Sequence, residues 1–135
     1  MISILDFDNF KEVNDSLGHA GGDEALKLLA KEMQDVFGTS GITARFGGDE
    51  FIVYMPFVEN VQQVKKRMQT LAERMDRTLE YKENTAKLSI CFGAVLAEEK
   101  EDIKDALKRA DEILYELKKT GKNNWKLKED KEVHE

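Results

Sequence analysis

The chain is short of cysteine, proline and positive charge, and it contains no long apolar run. Cys91 is the single cysteine in 135 residues. That excludes an internal disulfide framework and a zinc site built from several thiolates, and it suits a reducing compartment. No hydrophobic stretch is long enough to cross a bilayer. Met1 leads straight into Ile2-Ser3-Ile4-Leu5 and a polar stretch, without the pattern of a secretory leader. Lys and Arg number 21 against 27 Asp and Glu, a net charge of −6. This argues against a general nucleic-acid or membrane-surface binder, while a local basic pocket stays open. No repeat or linker divides the chain, and its length suits one compact domain with one core. The expectation is a cytoplasmic globular domain.

What is present reads as alternating strands and amphipathic helices. Residues 2–5 form a short buried strand that ends at Asp6. Helical spacing begins at Phe10, Val13 and Leu17 and is interrupted by Gly18 and Gly21-Gly22. From Asp23 a second helix sets Leu26, Leu29, Met33 and Val36 on one face, and Gly38 and Gly41 stop it. Residues 42–46 and 51–55 read as a hairpin around Gly47-Gly48, because paired glycines accept the positive φ of a tight turn. Pro56, the only proline, ends the second strand. Val61, Val64, Met68, Leu71, Met75 and Leu79 make the clearest amphipathic helix. Residues 87–97 read as one strand, in which Gly93 marks a bulge or a close backbone approach. Ile103, Leu107, Ala110, Leu114 and Leu117 form a further long helix, Gly121 ends it, and residues 124–127 add a short strand. The charged tail, residues 128–135, is expected to fray. The fold class is therefore α/β: a ferredoxin-like sandwich with a mainly antiparallel central sheet covered by helices.

The candidate chemistry starts with carboxylates. If the first strand lies beside the hairpin, Asp6 and Asp49 converge at one sheet edge, with Asp8 and Glu50 close by. Two such carboxylates hold Mg²⁺ partially, leaving positions for phosphate oxygens and water, and the Phe7 carbonyl can add a ligand. The alternative is that these acids only cap turns and helices. Gly47 and Gly48 leave the hairpin tip bare, so a metal–phosphate group can approach its backbone. Lys11 and the backbone amides of Asn9 and Phe10 sit where a helix begins, a setting that favours phosphate. Lys118 and Lys122 bracket Gly121 and reach a triphosphate if that helix end folds over the site. The simpler role for any one lysine at a helix C-terminus is to offset the dipole. Asn14 and Asp23 have the donors and acceptors to read a guanine edge, although N-capping is the strong simpler role for Asp23, which precedes a clean helix. His19, among glycines, is a substrate-side candidate whose simpler role is loop packing.

The ordered set Asp6-Phe7-Asp8-Asn9-Phe10-Lys11, Asn14-Asp15, Gly18-His19, Gly22-Asp23 and Arg45-Phe46-Gly47-Gly48-Asp49-Glu50-Phe51 resembles the GGDEF family of diguanylate cyclases. Ala110-Asp111, Tyr115, Lys118 and Gly121-Lys122-Asn123 resemble its C-terminal block. The likeness covers nearly the whole chain, with a domain expected over residues 1–127. It implies a fold related to the palm of nucleotidyl cyclases and polymerases. It implies Asp6, the Phe7 carbonyl and Asp49 as ligands of Mg²⁺, with Mn²⁺ as the alternative ion. Asn14 and Asp23 would recognise guanine. Lys11, Lys118 and Lys122 would hold phosphates, with Lys11 near the transition-state charge. Glu50 would assist at the metal, and Asp49 would also help deprotonate a 3′-hydroxyl.

Two departures qualify the resemblance. The helix that usually precedes the first strand in the family is expected to be lacking from residues 1–127. Its Arg-x-x-Asp inhibitory pair is replaced by Gly38 and Gly41, which implies weak or absent product inhibition. The expected activity is condensation of two GTP into cyclic di-GMP by a homodimer of half-sites. Control would come from a sensory domain absent from this chain. The competing reading is a non-catalytic module that binds GTP or cyclic di-GMP and signals through a partner. A purely structural dimerisation domain leaves the ordered acidic, basic and base-reading residues without a role.

Overall fold

A computed structural model describes residues 1–129. Its elements are β1 (Ile2–Phe7), α1 (Phe10–Phe37), β2 (Ile42–Gly47), β3 (Glu50–Tyr54), α2 (Val61–Met75), β4 (Arg77–Tyr81), β5 (Asn84–Leu88), β6 (Ile90–Val95), α3 (Ile103–Thr120) and β7 (Trp125–Lys128). Five strands form the main sheet in the order β2-β3-β1-β6-β7. β1 runs antiparallel to both β3 and β6, and only β6 and β7 pair in parallel. This is the expected ferredoxin-like arrangement with one strand added at the β6 edge.

The sheet is covered on both faces, so β1 shows no hydrophobic alternation even though its side chains do alternate. Leu5 and Phe7 join Phe51, Val53, Phe92 and Ala94 in the larger core, which α1 and α2 close with Leu29, Met33, Met68 and Leu71. Ile2 and Ile4 point the other way and meet Cys91, Val95 and the α3 residues Ala106, Ala110 and Leu114. Even-numbered residues of β1 and β3 thus face α3. That alternation decides where Asp6 and Glu50 point.

Gly93 is a site of close approach, one of the two roles expected for it. A Cβ there would lie 2.5 Å from the Ala110 carbonyl oxygen and 2.7 Å from the Leu114 nitrogen. α3 therefore rests on bare β6 backbone. The Asp102 side chain caps α3 by accepting from the Lys104 amide, and Asn60 caps α2 by accepting from Gln62 and Gln63.

Several boundaries differ from the sequence reading. α1 is continuous over 28 residues, with one non-helical position at Gly18 (φ 77, ψ 169). That backbone conformation suits glycine and kinks the helix instead of ending it. Asp23 consequently lies inside α1 and is not an N-cap. α2 stops at Met75, and Leu79 belongs to β4, not to the helix. The expected single strand over residues 87–97 is two strands, separated at Ser89. β4 and β5 form a separate two-stranded sheet packed on α1. Their turn uses Lys82 (φ 46) and Glu83 (φ 72), residues that give no glycine or proline signal. Lys128, the first residue of the expected tail, is in β7. Residues 130–135 of that tail lie outside the described residues. Trp125 anchors β7 by stacking on Phe92 at 6.3 Å and donating from Nε1 to the Gln69 side chain at 2.8 Å.

Candidate active site

β1, the β2–β3 hairpin and the end of α3 meet at one edge of the sheet. Asp6 is paired in register with Glu50, and both face α3. The hairpin tip turns through Gly47 and Gly48, both at positive φ (148 and 53). Arg45 braces it, donating from Nε and Nη2 to the Gly48 carbonyl at 2.9 and 2.6 Å. Asp49 follows directly, so the turn sets where its carboxylate sits.

α3 brings one cation to this edge. Lys118 Nζ lies 2.7 Å from Asp6 Oδ1 and 2.9 Å from Asp8 Oδ1, and it donates to the Phe7 carbonyl at 3.0 Å. The two carboxylates fare differently. Asp8, only 6% exposed, also accepts from the Ser89 hydroxyl at 2.6 Å and from the Asn123 amide at 2.8 Å. Burial works against its charge, but these donors outweigh it and hold its pKa below the usual carboxylate range. Asp6 Oδ1 is buried and meets the Lys118 ammonium at 2.7 Å, an ion pair out of hydrogen-bond alignment. Burial, opposed by Lys118 and reinforced by the charges of Asp49 and Glu50, pushes the Asp6 carboxyl up to about 6. Glu50 is raised by burial and by Asp111 of α3 and Asp49. Burial opposes the charge on Lys118, yet its contacts with Asp6 and Asp8 raise its pKa.

Between the unperturbed 3.8 and about 6, Asp6 in the folded state keeps a proton that the unfolded state has released. This contribution to stability therefore falls as pH rises through that window and is flat above it. Melts without divalent ions on both sides of the window should show the fall in the wild type and lose that component in Asp6→Asn. Parallel profiles for the two proteins would contradict the assignment.

Beside the carboxylates, Asn9, Lys118 and Lys122 line an open cleft of about 320 Å³ between the start of α1 and the end of α3. Asn9 is left-handed and its side chain does not cap α1. The kink at Gly18 folds Asn14 against the next segment, where its Oδ1 fills the space that a Cβ on Gly22 would need. The Asn14 side chain thus lies against Gly22, the residue before Asp23. Asp23 opens into a groove with Leu26, Arg45 and Phe51. Lys11 is on the exposed first turn of α1, and His19 is exposed just past the kink. Neither joins the Asp6–Asp8–Lys118 cluster.

Among the described residues, no group of three or more His, Cys, Asp or Glu forms a ready metal cage. Mg²⁺ does not require one, because it keeps several waters and takes one or two carboxylates. The buried, hydrogen-bond-free Asp6 oxygen and the Phe7 carbonyl, facing one cation together, are the kind of hard oxygen donors it prefers.

A family model described as the diguanylate cyclase GGDEF domain matches residues 1–124. The chain belongs to that family. The diguanylate cyclase DgcP of Pseudomonas aeruginosa is 30% identical over 129 residues, which cover 94% of this chain but only 19% of DgcP. The active GGEEF domain of a diguanylate cyclase from Vibrio cholerae is 31% identical with a TM-score of 0.82, covering 93% of this chain and 80% of that one. The GGDEF domain of DgcB from Caulobacter crescentus, solved in complex with c-di-GMP, is 27% identical with a TM-score of 0.86, covering 93% of this chain and 75% of that one. The sheet described above is the palm-like fold of these GGDEF domains. Ser89 is the site residue that sequence reasoning passed over, while Asp8 and Asn123 stood in the quoted motifs without a role. The signals were the Asp6-x-Asp8 spacing and the Gly121-Lys122-Asn123 run; Ser89 gave none, because it lies 81 residues from Asp8 along the chain. Among the described residues, no helix is long and apolar enough to cross a membrane.

Proposed function

We propose that this GGDEF domain condenses two GTP molecules into cyclic di-GMP with release of two pyrophosphates. The observation that carries this reading is the meeting of Asp6, Glu50 and the Asp49 turn at the sheet edge, beside a cleft lined by Lys118 and Lys122. Asp6, the Phe7 carbonyl and Asp49 would hold Mg²⁺, or Mn²⁺ in its place, with Glu50 assisting. The bound ion would supply charge stabilisation for the attacking and leaving oxygens of an in-line displacement.

The chain's own residues do the rest. Lys118, Lys122 and the first amides of α1 grip the phosphates, and Lys11 meets the charge that develops in the transition state. Asn14 and Asp23 orient the guanine. Asp49 takes the proton from the attacking 3′-hydroxyl, and bare Gly47 and Gly48 admit the second nucleotide. One half-site cannot form both phosphodiester bonds, so the active unit is a two-fold homodimer with its sites facing each other. In the whole protein a sensory domain would control that pairing, and the reaction would run in the cytoplasm.

The test is incubation with GTP and Mg²⁺ followed by chromatography of the products. Cyclic di-GMP supports the cyclase. GTP recovered bound but unchanged points instead to a binding module that signals through a partner. Asp23→Ser should narrow the preference for GTP over ATP by about tenfold or more, since a site built to pair a polar edge rejects analogues that leave it unpaired. Unchanged relative turnover would reject Asp23 as a base reader.

A further inference from the structure

Lys118 stands on the oxygens assigned above to the metal. Its Nζ touches Asp6 Oδ1 (2.7 Å) and the Phe7 carbonyl (3.0 Å), and the two separations are almost equal. Mg²⁺ binds oxygen at roughly 2.0–2.1 Å. An ion bridging those two oxygens would sit within a few ångströms of the ammonium, where two like charges with little water between them repel strongly. We infer that Lys118 is a place-holding cation, which neutralises Asp6 while the metal is away and leaves Asp6 and the Phe7 carbonyl when the metal enters. The inference rests on the reading of Asp6 and Phe7 as metal ligands.

The geometry also says where the lysine goes. Its third partner, Asp8, is fixed by Ser89 and Asn123 and is not among the groups assigned to the metal. Lys118 can therefore release Asp6 while keeping Asp8, turning about that anchor toward the cleft that it shares with Asn9 and Lys122. Its side chain is 30% exposed, so the turn is a change of rotamer at the surface and needs no repacking of the core. In the cleft a phosphate would give the displaced ammonium a new partner. A purely structural ion pair has no reason to open, whereas a place-holder couples the two ligands. Metal alone has to displace the lysine, and a phosphate then receives it. Each ligand thus favours the other.

The experiment is a nucleotide-free titration of Mg²⁺ by calorimetry into the wild type and Lys118→Met, with and without pyrophosphate. Lys118→Met should bind Mg²⁺ about tenfold more tightly than the wild type when pyrophosphate is absent. Pyrophosphate should tighten Mg²⁺ binding in the wild type and do so much less in the variant. Equal or weaker Mg²⁺ affinity in a folded Lys118→Met would overturn the inference. Should that variant fail to fold, acylation of wild-type lysines read by mass spectrometry takes its place. Lys118 should label faster once Mg²⁺ is added, and an unchanged rate refutes the exchange. Product formation from GTP by the wild type is followed in parallel. An active cyclase with an unresponsive Lys118 removes only the place-holder. Lack of Mg²⁺ binding by either protein removes the metal assignment as well.

Discussion

Asp49→Ala is expected to lower Mg²⁺-dependent formation of cyclic di-GMP from GTP by about 100-fold or more, the scale seen when a charged group at a metal or oxyanion site is lost. The carboxylate follows a turn whose path is set by Gly47, Gly48 and the Arg45 clamp on the Gly48 carbonyl, none of which depends on the Asp49 side chain. The fold should therefore survive, with a melting temperature close to that of the wild type. The substitution also takes away a negative charge that helps raise the Asp6 carboxyl, so Asp6 should titrate lower in the variant. Rates of product formation, melting curves and the pH profile of stability separate these effects. A variant that turns over at nearly the wild-type rate would remove Asp49 from both metal binding and proton abstraction.

Gly93→Val should damage the whole molecule. A Cβ at that position already meets the Ala110 carbonyl at 2.5 Å, the Leu114 amide nitrogen at 2.7 Å and the Ile113 Cβ at 2.9 Å. Two of these are helix backbone atoms and cannot swing aside as a long side chain would. Forcing extra volume into a packed core costs typically 1–3 kcal/mol, and the valine methyls place this site at about 3 kcal/mol or beyond. For a domain of this size that corresponds to a fall in melting temperature of roughly 10 °C. Any folded fraction should also be a poor enzyme, because lifting α3 from β6 carries Lys118 away from Asp6 and Asp8. A melting temperature within a degree or two of the wild type would show that α3 does not rest on Gly93 as described.

Both of these sites are legible in the sequence. Gly47-Gly48 between β-forming runs announces its hairpin, and pairing that hairpin with β1 brings Asp6 and Asp49 to one edge. Gly93 also stands out, since a glycine inside an apolar strand needs a reason. The β4–β5 hairpin is hidden because Lys82 and Glu83 take positive φ without the residues that usually advertise it. Leu79 misleads because its spacing continues the apolar face of α2, and tertiary pairing with Ala86 overrides that periodicity. Gly18 looks like a helix end, yet one unusual residue between two packed segments only bends α1. Asp8 could not be ranked above Asp6 from sequence, because its partners Ser89 and Asn123 are 81 and 115 residues away along the chain.

The anchoring of β7 has a practical side. Trp125 is the molecule's sole indole, and it sits where the last strand, β6 and α2 come together. Its fluorescence is thus a built-in gauge of that junction. Ultraviolet excitation alone, with no attached dye, reports when the C-terminal strand parts from the rest of the protein.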